Sequence, residues 1–164
     1  MLAIKVILHP TDFSELSDFA FRLACSLARD YGARLVVLHV AKPFVAVAGE
    51  GVMMLPPETD LEFLRDRLQQ LRPQDPKGLV EHRLAQGDAA AEILQTAHDI
   101  NCDVIVMGTH GRTGLGRLLM GSVAEQVVRK ATCPVLTVKT PLGQTPPSEA
   151  VAAAKPNKGA SVAT

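Results

Sequence analysis

The sequence predicts an α/β fold with a five-stranded, mainly parallel sheet in the order 3-2-1-4-5 and helices on both faces. Short apolar runs rich in β-branched residues alternate with longer segments whose apolar residues recur at helical spacing, which is typical of βαβ units. The run at residues 103–109 is apolar and bounded by turn formers, as expected of a strand buried on both faces. With 164 residues, of which 47% are hydrophobic, the chain is long enough for one domain with a real core.

Residues 4–40 form the first predicted βαβ unit. Residues 4–9 predict a buried strand, and Ser14 is placed to cap the helix that follows. Gly32 suits the left-handed position after that helix, and residues 34–40 predict the second strand. The apolar stripe of the helix comprises Leu16, Phe19, Ala20, Leu23, Ala24, Leu27 and Tyr31.

The remaining elements follow in alternation, apart from one ambiguous segment. Residues 41–58 are apolar but broken by Gly and Pro, which fits a lid over a ligand site, a dimer contact or a loop packed on its own domain. Residues 60–72 predict a helix with a leucine face, residues 79–85 a strand nearer the sheet edge, and Gly87-Asp88 the cap of a third helix. Residues 103–109, 122–132 and 134–139 predict strand, helix and strand. The predicted domain ends at residue 140, and residues 141–164 predict a disordered tail poor in apolar residues.

Charge and cysteine content exclude several classes of function. The formal net charge is +0, from 17 basic and 17 acidic residues, so no basic surface for nucleic acid is expected. The three cysteines, Cys25, Cys102 and Cys133, are odd in number and form no Cys-x-x-Cys pair. We therefore expect reduced thiols in a cytoplasmic protein, without a disulfide framework or a zinc site. No apolar run approaches the roughly 20 residues that span a bilayer, and the first residues do not resemble a signal peptide.

A glycine-rich segment joins the fourth predicted strand to the fourth helix, and its glycines are Gly108, Gly111, Gly114, Gly116 and Gly121. Without Cβ atoms this segment lets a ligand approach the main chain, and the helix start that follows attracts anions. Arg112 and Arg117 add positive charge. The segment therefore predicts a phosphate site. It is neither a P-loop, because no lysine precedes Ser122, nor a dinucleotide fingerprint, because the third glycine is missing.

The spacing of these glycines resembles the ATP-binding signature of the universal stress protein family. Two residues separate Gly108 from Gly111, and nine residues separate Gly111 from the pair Gly121-Ser122. The resemblance extends to the Pro-Thr-Asp segment at residues 10–12 and to residues 134–138, and it covers roughly the first 140 residues. It implies a Rossmann-like sheet of the adenine nucleotide alpha hydrolase type. It also implies a homodimer, formed through the last strand with Val135 and Lys139 at its ends, that binds ATP with Mg²⁺ held mainly by the phosphates.

The resemblance also implies roles for individual residues. Main-chain amides near the glycines hold the triphosphate, together with the Ser122 hydroxyl and the Val123 amide. Asp12 takes a ribose hydroxyl or the adenine amine, or helps hold Mg²⁺; capping the first helix is the structural alternative. Met107 lies against adenine or ribose. The full predicted nucleotide-binding set is Pro10, Thr11, Asp12, Val40, Met107, Gly108, His110, Gly111, Arg112, Gly121, Ser122 and Val123.

The sequence predicts no catalytic residue and no metal ligand. It contains no evident nucleophile and base pair and no lysine placed to polarise a γ-phosphate, so fast phosphoryl transfer is not expected. Three functions stay open: a regulatory stress-response dimer with at most slow ATP hydrolysis, a nucleotide hydrolase or self-phosphorylating enzyme with Ser122 or Thr113 as acceptor, and a nucleotide-free scaffold.

Overall fold

A five-stranded sheet lies at the centre of the structure, a computed structural model that describes residues 3–42, 46–48, 51–53, 58–73, 79–109 and 120–139. No helix within these ranges has the length and apolar character needed to cross a membrane. The elements, in chain order, are β1 (Val6–Pro10), α1 (Glu15–Tyr31), β2 (Arg34–Ala41), β3 (Ala46–Ala48), β4 (Gly51–Met53), α2 (Glu58–Gln69), β5 (Val80–Gln86), α3 (Ala89–Asp99), β6 (Val104–Gly108), α4 (Ser122–Lys130) and β7 (Val135–Val138).

The strand order of the main sheet is β5-β2-β1-β6-β7, and every neighbouring pair is parallel. Counting only these five strands, this is the predicted order 3-2-1-4-5, which the structure confirms. The register aligns Leu8 with Val36 on one side and with Ile105 on the other, and Ile105 with Val135. Strand order reverses between β1 and β6, which makes this the switch point of the sheet.

Alternate residues of the central strands contribute to two separate cores, as expected of strands covered on both faces. On one face Ile7, Val37 and Val106 pack with alanines of α1 and with Leu68 of α2. On the other face Leu8 and Ile105 pack with residues of α3 and α4, namely Ala90, Ile93, Ala97, Ala124 and Val127. The predicted arrangement of helices on both faces is therefore confirmed.

Helix α1 buries a stripe that agrees only in part with the predicted one, since Ala20 and Ala24 are buried as predicted and Leu27 packs against the core. Its buried residues are Ser17, Ala20, Phe21, Ala24 and Ala28. Two predicted members are exposed, Leu23 by 36% and Tyr31 by 49%. The small side chains let the helix lie close over β1 and β6, whereas the larger apolar residues flank this contact line. The prediction from apolar residues alone therefore placed Leu23 and Tyr31 wrongly on the buried face of the helix.

The ambiguous segment after β2 contains a short antiparallel hairpin that the sequence did not predict. Strand β3 pairs with β4 through Ala46↔Met53, Val47↔Val52 and Ala48↔Gly51. Three-residue strands are too short to show a period of two in sequence. The three alternatives of a lid, a dimer contact and a loop packed on its own domain all remain predictions. The predicted tail at residues 141–164 lies outside the described residues.

Candidate functional site

The carboxyl ends of β1 and β6 lie side by side, because these strands pair in parallel through Ile7↔Val104 and Leu8↔Ile105. Pro10 is the last residue of β1 and is followed by Thr11 and Asp12, and Gly108 is the last residue of β6. The structure therefore places residues 10–12 beside Gly108, and both belong to the predicted nucleotide-binding set. In open α/β sheets, ligands bind outside the carboxyl ends of the strands at such a switch point.

The start of α4 is tied to the end of β6. The Gly121 N–H donates to the Thr109 carbonyl (2.8 Å), and the Thr109 N–H donates to the Val138 carbonyl (3.0 Å). Thr109 is buried, so this link is shielded from solvent. The first turn of α4, with exposed Ser122 and half-buried Val123, therefore begins at the carboxyl end of the sheet.

Helix α4 differs from α1 and α3 in how it begins. Ser14 caps α1 by accepting from the Ser17 N–H, and Asp88 caps α3 by accepting from the Ala91 N–H. At α4 the cap residue is Gly121, and no side chain among the described residues caps it. The amides of residues 122–124 have no acceptor within their own helix, so they and the helix dipole favour a bound anion.

In the loop between β1 and α1, Asp12 supports the helix cap indirectly. Asp12 Oδ1 accepts hydrogen bonds from the Ser14 N–H (3.1 Å) and the Ser14 hydroxyl (2.6 Å). Ser14 in turn caps α1, so the capping role that was the alternative for Asp12 falls to its neighbour. The buried Thr11 hydroxyl accepts from the Phe13 N–H (3.1 Å) and the Ser17 hydroxyl (2.9 Å). These bonds hold the loop in one shape.

An aromatic stack that the sequence did not reveal fixes the same loop. The Phe13 ring lies 4.5 Å from the His39 ring, and the Arg67 guanidinium lies 4.4 Å from the centre of the Phe13 ring. Phe13 has a φ of 61°, a left-handed conformation that is uncommon for a non-glycine residue. His39 Nδ1 lies 2.7 Å from the Thr11 carbonyl oxygen and bonds to it. The stack thus joins α2, the β1–α1 loop and β2 directly beside Asp12.

His9 links the two strands of the switch point from inside the core. It is fully buried, and its Nδ1 donates to the Val106 carbonyl of β6 (2.8 Å). Burial lowers the pKa of His9 to about 4, against opposing effects of the Val106 hydrogen bond and the Asp12 charge. His9 is therefore neutral at pH 7, and its Nε2 has no hydrogen-bond partner in the part of the chain that the structure describes.

The other predicted residues lie in varied surroundings. Met107 is 6% exposed and packs in the core between the sheet, α3 and α4. Val40 is half-buried near the end of β2, paired with Ala85 of β5. His110, Gly111 and Arg112 lie outside the described residues, so their predicted roles stay predictions. Within the described ranges, no group of three or more His, Cys, Asp or Glu residues could hold a metal ion.

Comparisons with known proteins agree on one family. The model of the universal stress protein family matches residues 3–139. Universal stress protein MJ0531 of Methanocaldococcus jannaschii is 38% identical over 141 residues, which cover 84% of this chain and 83% of that protein.

Solved structures share the fold. The structure of protein MJ0577, from the same archaeon, has a TM-score of 0.66 and 26% identity, covering 84% of this chain and 97% of that one. A universal stress protein from Archaeoglobus fulgidus, solved in complex with dAMP, has a TM-score of 0.62 and 21% identity, covering 85% of this chain and 100% of that one.

Proposed function

The chain belongs to the universal stress protein family, and on that premise we propose that it binds ATP in the crevice between β1 and β6 as a nucleotide-dependent regulatory protein. The observation that carries the proposal is the first turn of α4, which begins at this crevice with a glycine cap. A triphosphate is the kind of anion that such amides stabilise. The Archaeoglobus relative was solved with dAMP, which makes adenine nucleotides the first ligands to test.

The charges on the two sides of the crevice orient the proposed ligand. Asp12 lies on the β1 side, where its carboxylate would repel phosphate but can accept a hydrogen bond from a ribose hydroxyl or the adenine amine. The α4 side offers amides, so the phosphates belong there with Gly108, Gly121, Ser122 and Val123. Mg²⁺ would be held mainly by the phosphates.

The remaining predicted residues complete the proposed site. Main-chain groups of Pro10, Thr11 and Val40 would contact the adenosine part, and Met107 would lie near adenine or ribose. His110, Gly111 and Arg112 would add contacts to the phosphates from the glycine-rich segment.

We also propose a homodimer formed through β7. Among the described strands this one is at the end of the sheet order with β6 as its one neighbour, and Leu136 on it is 40% exposed. Pairing with a second copy would satisfy the open side of the strand and cover this leucine. A cytoplasmic location fits the three cysteines, which are free thiols. Any ATP hydrolysis would be slow.

A pair of substitutions at one position tests the phosphate site. Gly121 has φ −61° and ψ 149°, a conformation open to any residue, so Gly121→Asp and Gly121→Asn both fit the backbone. Both are good N-cap residues, and we expect stability to rise by a few tenths of a kcal/mol. A carboxylate about 5 Å from one phosphate charge costs about 3 kcal/mol at an effective dielectric constant of about 20, or about 100-fold in affinity.

Isothermal titration with ATP and Mg²⁺ measures this effect. The Asp variant should bind about 100-fold more weakly than the parent chain, and the Asn variant, which differs in charge alone, should lose much less. Equal affinity in all three proteins would place the phosphates elsewhere. An absence of binding heat for the parent at millimolar ATP would favour the scaffold alternative, and release of phosphate at many turnovers per minute would favour a hydrolase.

A further inference from the structure

Two cysteines that are distant in sequence lie together at the amino end of the sheet. Cys102 precedes β6 by two residues, and Cys133 precedes β7 by two residues. These strands are parallel neighbours, and the Ile105 N–H donates to the Pro134 carbonyl (3.0 Å) just before their register begins at Ile105↔Val135. Cys102 belongs to the core between the sheet, α3 and α4, and Cys133 packs against that same core.

The two thiols differ in accessibility. Cys102 is buried, and its Sγ donates to the Val104 carbonyl (3.1 Å), whereas Cys133 is half-buried. Burial, together with the adjacent Cys133 thiol, raises the pKa of Cys102 to about 12. Cys133 is therefore the thiol that an oxidant from solvent reaches first, and Cys102 stays a protonated thiol.

The third cysteine serves as an internal reference. Cys25 of α1 packs against the core on the opposite face of the sheet. Burial raises the pKa of Cys25 to about 11. The sheet separates it from the other two thiols, so it has no partner for an intramolecular disulfide among the cysteines of its own chain.

We propose that Cys102 and Cys133 form a reversible intramolecular disulfide when the protein meets a peroxide. Cys102 lies three residues before Ile105 and Cys133 two residues before its partner Val135, so the two are one register position apart. Neighbouring strands lie about 4.8 Å apart and one residue adds about 3.3 Å along a strand, so we expect a Cα separation within the roughly 4.4–6.8 Å that a disulfide joins. This proposal does not depend on nucleotide binding. The bridge would form at the amino end of the sheet, opposite the crevice.

The reaction takes two steps. The Cys133 thiolate attacks one oxygen of hydrogen peroxide, the O–O bond breaks, and Cys133 becomes a sulfenic acid while hydroxide leaves and takes up a proton as water. The Cys102 sulfur then attacks the sulfenic sulfur, the S–O bond breaks, and the Cys102 proton leaves with that oxygen as a second water. Overall, two thiols are oxidised to one disulfide, and peroxide is reduced to two waters.

Peptide mapping of the whole purified chain tests the proposal. Trypsin places Cys25, Cys102 and Cys133 in three different peptides, residues 23–29, 84–112 and 131–139. The reduced protein is treated with hydrogen peroxide, denatured, alkylated and digested. We expect peptides 84–112 and 131–139 to be joined, at a mass about 2 Da below their reduced sum, with Cys25 alkylated. Dithiothreitol should restore alkylation of all three cysteines.

Variants provide the controls. Cys25→Ser should leave the joined peptides unchanged, and Cys133→Ser should abolish them. Alkylation of Cys102 after peroxide treatment, with Cys133 converted to sulfinic or sulfonic acid, would overturn the proposal. A disulfide between two chains would overturn it equally. If Cys133→Ser does not fold, the map of the parent chain still decides between these outcomes.

Discussion

Replacement of His9 by asparagine should flatten the acid sensitivity of the fold. An asparagine amide can still donate to the Val106 carbonyl, as His9 Nδ1 does at 2.8 Å, but it does not titrate. The parent protein keeps His9 neutral in the folded state, because burial lowers its pKa from the ordinary 6.5 to about 4. Folding must therefore exclude a proton that the unfolded chain binds below pH 6.5.

The size of the effect follows from linkage. Between pH 6.5 and about 4 the unfolded state binds more protons at this residue, so the free energy of unfolding falls as the pH falls. The contribution of neutral His9 to the free energy of unfolding is fully present above this pH window. Below the window it is fully lost, which lowers the free energy of unfolding by about 3 kcal/mol. From pH 7 to pH 5, His9 alone should lower the free energy of unfolding by about 2 kcal/mol.

Urea unfolding at pH 7, 6 and 5, followed by far-ultraviolet circular dichroism because the chain lacks tryptophan, measures this dependence. The asparagine variant will be less stable at pH 7, since loss of the ring leaves a cavity. The comparison is between the slopes of the free energy of unfolding against pH in the two proteins. Other titrating groups contribute equally to both proteins and cancel. Parallel pH profiles for the two proteins would refute the assignment of His9 as a neutral, buried residue.

Four further substitutions test three other parts of the structure, namely the aromatic stack, helix α4 and strand β7. Phe13→Leu removes contacts with both a ring and a guanidinium, and we expect the free energy of unfolding to fall by about 1–2 kcal/mol in urea titration; an unchanged value would mean that the stack does not stabilise the loop. Val127→Ala leaves a cavity at a fully buried position and should cost about 2 kcal/mol, whereas Val128→Ala on the same helix, 43% exposed, should change stability by less than about 0.5 kcal/mol. Equal losses would contradict the observed orientation of α4. Leu136→Lys places a charge on the open edge strand and should shift the proposed dimer toward monomer in sedimentation velocity, and an unchanged profile of a dimeric parent would contradict assembly through β7.

The sequence predicted the topology and the meeting point of the site well. Continuous apolar strands and amphipathic helices are local signals, and the alternation of the two implies a parallel sheet with its helices on both faces. The resemblance to a family assigned the segment at Asp12 and the glycine-rich segment to one nucleotide site. The parallel pairing of β1 and β6 brings the end of β1 next to Gly108, whereas Gly111, Gly114 and Gly116 lie outside the described residues.

What the sequence did not reveal depends on contacts between distant segments. The stack of Phe13 with His39 and Arg67 joins three elements, and no local pattern marks it. Cys102 and Cys133 show no motif spacing because neighbouring strands, rather than one turn, bring them together. The buried face of α1 was misjudged because alanines, which have weak hydrophobicity, form the contact with the sheet.

The central position of β1 has a consequence for how the molecule assembles during synthesis. Strand β1 has two neighbours in the sheet, β2 and β6. Strand β2 is synthesised soon after β1, whereas β6 emerges from the ribosome only after β5 and α3. Until then one side of β1 exposes unpaired main-chain groups, and His9 lacks the Val106 carbonyl that it bonds in the folded protein. A chain that pairs β1 with β2 before β6 is made would therefore expose its most central strand as an open edge, and such edges are prone to aggregation.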